Sequence, residues 1–321
     1  MREIMSQSKS CETCYYYLAS LKYCIKLGRK VSNVNDPPCQ SQTNSPVTPI
    51  KPVIKVKEAK AESEAKVKAK LTVDELTPTG IDGLDELLGG GFLRGKTYLI
   101  AGETGAGKTI FSLQFLIYGA MNGEPGVYLA IDEPREHLLR GIRRFGWDVV
   151  DELEKKGKLL FLDMRTHFSR IYLKDEKRKI EPKFVISQIL RNVDRINAKR
   201  LVIDPIAPLI YGGGDDILQA REFLREMVFA LEKRKNVTTV MTSEIPTGSK
   251  RLSRFGVEEF LATGIIMLSL EEINGRIYRV MFIRKARWSP VKPSKYVFEI
   301  VPAKGIVLKG PIEDFYQNAT T

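Results

Sequence analysis

GETGAGKT, residues 102–109, lies between the apolar run KTYLIA (96–101) and the run KTIFSLQFLIYGAM (108–121). The octapeptide fits G-x-x-x-x-G-K-[ST] without deviation. Its setting is the one that pattern requires: a buried strand, a glycine-rich turn and then a helix. Gly102, Gly105 and Gly107 let the backbone wrap closely, and with Glu103, Thr104 and Ala106 they turn several N–H groups inward. The helix that follows adds the positive end of its dipole. Lys108 is placed to meet β- and γ-phosphates, and the Thr109 hydroxyl to ligate Mg²⁺. The expectation is a site for ATP and Mg²⁺; a glycine-rich turn with a chance lysine is the bland alternative.

Outward from this loop, strand and helix patterns alternate, which predicts an α/β fold with a mainly parallel sheet and helices on both faces. Further strands are expected at Gly126–Ile131, Lys158–Met164, Arg200–Asp204 and Val237–Thr242. Helices are expected at Arg135–Phe145, Lys183–Asn197 and Asp216–Arg234. Hairpins close the domain. Ile265–Leu270 and Ile277–Ile283 flank Asn274-Gly275, a strong hairpin signal, and Tyr296–Val301 with Ile306–Leu308 extends the sheet.

Two strand ends carry carboxylates. Leu201–Asp204 (LVID) ends in Asp204, which is expected to hold the Mg²⁺ hydration shell beside Thr109. Asp132-Glu133 closes the strand after the P-loop helix, at the sheet edge where ligands bind in doubly wound folds. A carboxylate there can polarise an attacking water, and Glu133 is the expected main base with Asp132 beside it. Asp132 could also cap the next helix, since Pro134 follows two residues later.

The 321 residues are 43% hydrophobic and 28% charged, which allows a sizeable core. Of the +12 net charge, +7 falls on residues 1–70, with 13 Lys+Arg against 6 Asp+Glu. Such a tail suits nucleic acid or an acidic surface, or is simply solvated. Met1–Ser10 has no apolar run, and stretches such as Gly264–Leu270 are too short for a bilayer. A soluble, cytoplasmic protein without a membrane partner is therefore expected. All four cysteines, Cys11, Cys14, Cys24 and Cys39, lie in the first 39 residues. In a reducing compartment this spacing points to Zn²⁺ rather than disulfides, although four free thiols remain the simpler alternative. The expected organisation is a cysteine-rich segment at 1–40, a flexible basic linker at 41–70, the ATPase domain at 71–312 and a tail at 313–321.

From about Leu76 to Leu308 the sequence resembles the KaiC family of RecA-like ATPases. The resemblance rests on TPTGIDGLDELLGGGFLRGKTYLIAGETGAGKTIFSLQFLIYG, on PGVYLAIDEPREHLLRGIRRFGWD, and on MTSEIP, GVEEFLATG and RKAR in the same order. It implies a single RecA-like P-loop domain, where circadian KaiC proteins have two in tandem. It also implies rings, usually hexameric, with ATP between subunits. Asp132-Glu133 stands where the family usually carries paired catalytic glutamates. Lys285-Ala286-Arg287 matches the family's Lys-x-Arg pair that reaches the neighbour's γ-phosphate, with Arg287 as an arginine finger. Ser243-Glu244 matches the polar sensor position. Pro205 departs from the family's usual Ser.

The expected activity is that of a ring ATPase acting as a nucleotide-dependent switch with an unidentified regulatory protein partner. Two alternatives remain open: an ATP-dependent single-stranded DNA-binding protein, and a Ser/Thr autokinase. Lys250, Arg251 and Arg254, in a loop expected to line the central hole, favour nucleic acid if they are not merely solvated.

Overall fold

Apolar runs separated by turn residues become the strands of one nine-stranded sheet in the computed structural model. The described residues are 75–164, 182–211, 217–245, 258–289 and 291–317, together with three two-residue strands upstream. Those upstream strands, β1 (Tyr17–Leu18), β2 (Tyr23–Cys24) and β3 (Arg29–Lys30), form a small antiparallel sheet in a unit spanning Met1–Ala69. The second unit, Lys70–Thr321, holds the rest. No described helix is long and apolar enough to cross a membrane.

In the second unit, β4 (Leu76–Thr77) pairs with β5 (Phe92–Leu93), with the short helix α1 (Leu84–Leu87) between them. The main sheet contains β6 (Thr97–Gly102), β7 (Gly126–Ala130), β8 (Leu159–Asp163), β9 (Arg200–Asp204), β10 (Thr238–Glu244), β11 (Gly264–Ile273), β12 (Arg276–Ala286), β13 (Ser294–Val301) and β14 (Gly305–Pro311). Their order is β14-β13-β12-β11-β6-β10-β9-β7-β8. Strands β11 to β8 in that order are parallel, and β12, β13 and β14 are added as antiparallel hairpins. This is a RecA-like α/β fold, as the sequence leads one to expect.

Helices α2 (Lys108–Met121), α3 (Arg135–Arg144), α4 (Val149–Lys155), α5 (Pro182–Arg195), α6 (Ala207–Tyr211), α7 (Ile217–Glu232), α8 (Glu258–Leu261) and α9 (Ile312–Gln317) fill the connections. The last of these lies where a tail from residue 313 is expected, with Ile312 buried and Phe315 edge-on to Tyr278.

Alternation along the strands sorts the core into two layers. Ile100, Tyr128, Val202 and Val240 meet Phe111, Phe115 and Leu116 of α2. Leu99, Leu129, Ile203 and Met241 face the opposite layer, built from α5 and α7. Phe111, Phe115 and Leu116 are fully buried, which stabilises the seat of the P-loop helix by about 1.5–3 kcal/mol each. The base of that helix is pinned by Arg200, which is 1% exposed. It pairs with Glu124 at 2.6 Å and donates to the Phe115 carbonyl at 2.7 Å. Gly119 makes room for this guanidinium, since a Cβ there would lie 2.1 Å from Arg200 Nε.

Candidate functional site

The phosphate-binding motif sits at the carboxyl end of β6, and α2 begins at Lys108. Gly105 and Gly107 have φ of +81° and +110°, values that side-chain-bearing residues rarely adopt. A Cβ on Gly105 would meet nothing within 4 Å, so the loop is open on that side. Lys108 is 9% exposed and its Nζ donates to the carbonyls of Gly102 and Glu103, each at 2.9 Å. Burial pushes its ammonium below the usual lysine range, while the charges of Glu244, Asp204 and Glu103 oppose that loss.

Strand order brings the remaining groups to the loop. One strand, β10, separates β6 from β9, so Asp204 ends two strands from the P-loop, on the same face as α2. Three hydroxyls converge on its carboxylate. Thr109 Oγ1 donates to Oδ2 at 3.0 Å, Tyr128 Oη donates to the same oxygen, and Thr242 Oγ1 donates to Oδ1. Tyr128 is buried, and burial together with the Asp204 charge pushes its phenol well above the usual value, so it remains a donor. The Asp204–Pro205 peptide bond is cis. Thr109 and Asp204 suit Mg²⁺, a hard cation that takes oxygen ligands, keeps several waters and needs only one or two carboxylates beside phosphates. Among the described residues, no cluster of three or more His, Cys, Asp or Glu could hold a metal by itself.

A cavity of about 270 Å³ unites these groups. Thr104, Gly105, Gly107, Lys108 and Thr109 line one side, and Tyr128, Asp132, Glu133, Asp204, Pro205 and Glu244 line the other. Among the described residues the lining thus carries four carboxylates against one ammonium, a balance that suits a cation. Asp132 and Glu133 are both exposed at the mouth. Helix α3 starts at Arg135 with Pro134 as its N-cap.

Other expected site residues do not line this chain's own cavity. Ser243 is fully buried, and its Oγ donates to Glu258 Oε1 at 3.1 Å rather than lining the cavity. Lys285 Nζ donates to the carbonyls of Glu259 and Ala262 at 3.0 and 2.7 Å, and Arg287 is exposed just beyond β12. Cys11, Cys14 and Cys39 lie outside the described residues, as do Lys250, Arg251 and Arg254; of Cys24 only the backbone, in β2, is described.

A glycine loop, an invading lysine and a Thr–Asp pair at the carboxyl edge of a parallel sheet define a P-loop nucleotide-binding domain. The chain belongs to the KaiC ATPase family, whose model matches residues 77–312. A UPF0273 protein of Thermotoga maritima is 35% identical over 237 residues, covering 72% of this chain and 94% of that one. Circadian clock protein KaiC3 of Synechocystis sp. is 33% identical over 234 residues, which covers 73% of this chain but 45% of KaiC3. The chain therefore spans under half the length of that relative. The crystal structure of a KaiC-like protein from Pyrococcus horikoshii OT3 aligns with a TM-score of 0.62 and 39% identity, over 72% of this chain and 97% of that one.

Proposed function

We propose that this chain binds and hydrolyses ATP with Mg²⁺, as a ring-forming switch whose nucleotide state is read by a protein partner. The observation that carries this reading is the single cavity shared by the P-loop, the Thr109–Asp204 pair and the carboxylates of Asp132 and Glu133. The loop amides and Lys108 hold the β- and γ-phosphates, and Thr109 and Asp204 hold the cation through oxygen. Bound there, Mg²⁺ supplies positive charge against the phosphate oxygens. Glu133, with Asp132 beside it, orients a water at the mouth and accepts its proton.

The charge balance supports assembly. Four carboxylates and a triphosphate exceed the charge of one Mg²⁺ and of Lys108, the one cation among the described lining residues, which leaves room for a further cation. Arg287 of a second copy, exposed beyond β12, is the residue proposed to supply it, and a hexameric ring in the cytoplasm is the proposed assembly. The N-terminal cysteines are proposed to hold Zn²⁺ apart from this chemistry. Phosphate release from ATP tests the reading: it should require Mg²⁺, stop with EDTA and rise per chain as protein concentration drives assembly. Release indifferent to Mg²⁺ would point to a different site.

A further inference from the structure

Strand β10 ends in two neighbours that face opposite sides of the sheet. Glu244 lines the cavity, where its charge acts on Lys108. Ser243, on the other side, is fully buried and grips Glu258 at 3.1 Å. Glu258 is itself fully buried and opens the four-residue helix α8. Lys285 Nζ donates to the carbonyls of Glu259, the next residue of α8, and of Ala262, just beyond its end. Two residues further along, the Arg287 amide donates to the Thr263 carbonyl at 3.1 Å. One continuous run of contacts thus joins the cavity wall to Arg287 within a single chain.

The run has a physical driver at its cavity end. A triphosphate puts like charge beside Glu244 and draws Lys108 away from the carbonyls of Gly102 and Glu103. Filling the cavity would thus bear directly on Glu244, and Ser243 is the preceding residue on the same strand. The other end is firmly tied. Two of the three donors of the Lys285 ammonium are engaged by its own chain, and burial beside Arg287 lowers its pKa. So held, Lys285 ties the end of β12 to α8 within its own chain.

We propose that helix Glu258–Leu261 carries the occupancy of a chain's own cavity to Arg287, with Glu258 and Lys285 as positioning residues that set the finger for a neighbouring copy. This rests on the reading of Arg287 as a finger acting in trans. It adds regulation to that reading, because each site then controls the catalytic help it lends to the next.

The chain carries its own reporter. It has two tryptophans: Trp147 is 6% exposed and donates from Nε1 to the Ala303 carbonyl, whereas Trp288 is 83% exposed and adjoins Arg287. Iodide therefore quenches Trp288 selectively and reads the finger segment. At a dilution where light scattering gives single chains, Mg²⁺ with AMP-PNP, a non-hydrolysable ATP analogue, should change the iodide-accessible emission. That change should follow binding measured separately with a fluorescent ATP analogue. Ser243→Ala and Lys285→Met cut the route at opposite ends, so each should bind nucleotide as the parent does and lose the Trp288 response. If one variant fails to fold, the other still decides.

In assembled protein, Arg287→Ala should be rescued more by Glu133→Gln, whose cavity fills, than by Lys108→Ala, whose cavity stays empty. The expected ratio is about 5–150-fold, the usual range of coupling between sites. Binding without a Trp288 response, a response that survives both cuts, or equal rescue by the two donors overturns the relay and leaves the nucleotide reading standing. Failure to bind nucleotide at all overturns both.

Discussion

Replacing Tyr128 with Phe removes one oxygen and keeps the ring that packs against Phe161, centroid to centroid at 5.6 Å. The lost hydroxyl is one of three that donate to Asp204. A hydrogen bond to a charged group contributes about 1.5–3 kcal/mol. Asp204 keeps Thr109 and Thr242 and lines an open cavity, so the stability loss should fall near the lower end, about 1.5 kcal/mol. The effect on metal binding should be larger. Partners that orient a ligating carboxylate typically affect metal affinity by about 10–100-fold. The Mg²⁺ concentration giving half-maximal ATP hydrolysis should therefore rise by that factor, while the rate at saturating Mg²⁺ stays close to the parent's. Phosphate release across a Mg²⁺ titration reads the affinity, and urea unfolding reads the stability. An unchanged Mg²⁺ midpoint, or a rate loss that saturating Mg²⁺ does not restore, would refute the view that Tyr128 orients Asp204 for the metal.

Three further outcomes can be checked alongside it. Glu133→Gln should still bind ATP but hydrolyse it about 10²–10⁴-fold more slowly, the range for a positioned general base; a larger effect of Asp132→Asn in the same assay would move the base to Asp132. Arg287→Ala should assemble, bind ATP and lose about 10³–10⁵ in rate, as removal of an arginine finger does. Adding Lys108→Ala subunits should restore part of that activity, and mixed rings confirmed by mass with no recovery would confine Arg287 to its own chain or to no role. Full-length protein purified without chelators should carry about one zinc per chain, and Cys11→Ser with Cys14→Ser should abolish it; metal analysis finding no zinc in the parent would leave four free thiols.

The parts of this molecule legible in the sequence are those fixed by local rules. KTYLIA and RLVID read as buried strands because their apolar runs are bounded by turn and charge signals, and β6 and β9 form there. The helix at Lys108–Met121 has the expected bounds, because the glycine turn dictates its start. Asn274-Gly275 places the hairpin, with Asn274 and Gly275 at φ of +53° and +76°. What the sequence hides depends on which strands become neighbours. Tyr128 sits inside GVYLA and reads as core; it becomes a partner of Asp204 only because β7 lies beside β9. Thr242 reaches the same carboxylate because β10 lies on the other flank of β9. Ser243 and Glu244 look like one polar signal, yet alternation sends one into the cavity and the other to Glu258. Helix α8 spans four residues, too short for any periodic pattern, so the tie between Lys285 and its own chain has no sequence signal.

The central claim is that the cavity at the end of β6 is an ATP site, and Lys108 tests it most directly. Its ammonium, buried and held by two carbonyls of the loop, is the single cation among the described cavity-lining residues. Two charge-assisted contacts to phosphates, at about 1.5–3 kcal/mol each, correspond to roughly 10²–10⁴ in affinity. Calorimetric titration of Mg²⁺ and AMP-PNP into the parent and into Lys108→Ala, with folding of both checked by circular dichroism, measures that difference. The account predicts one site per parent chain and binding weakened by that factor in the variant, with hydrolysis abolished. A folded Lys108→Ala protein that binds and turns over ATP like the parent would contradict it.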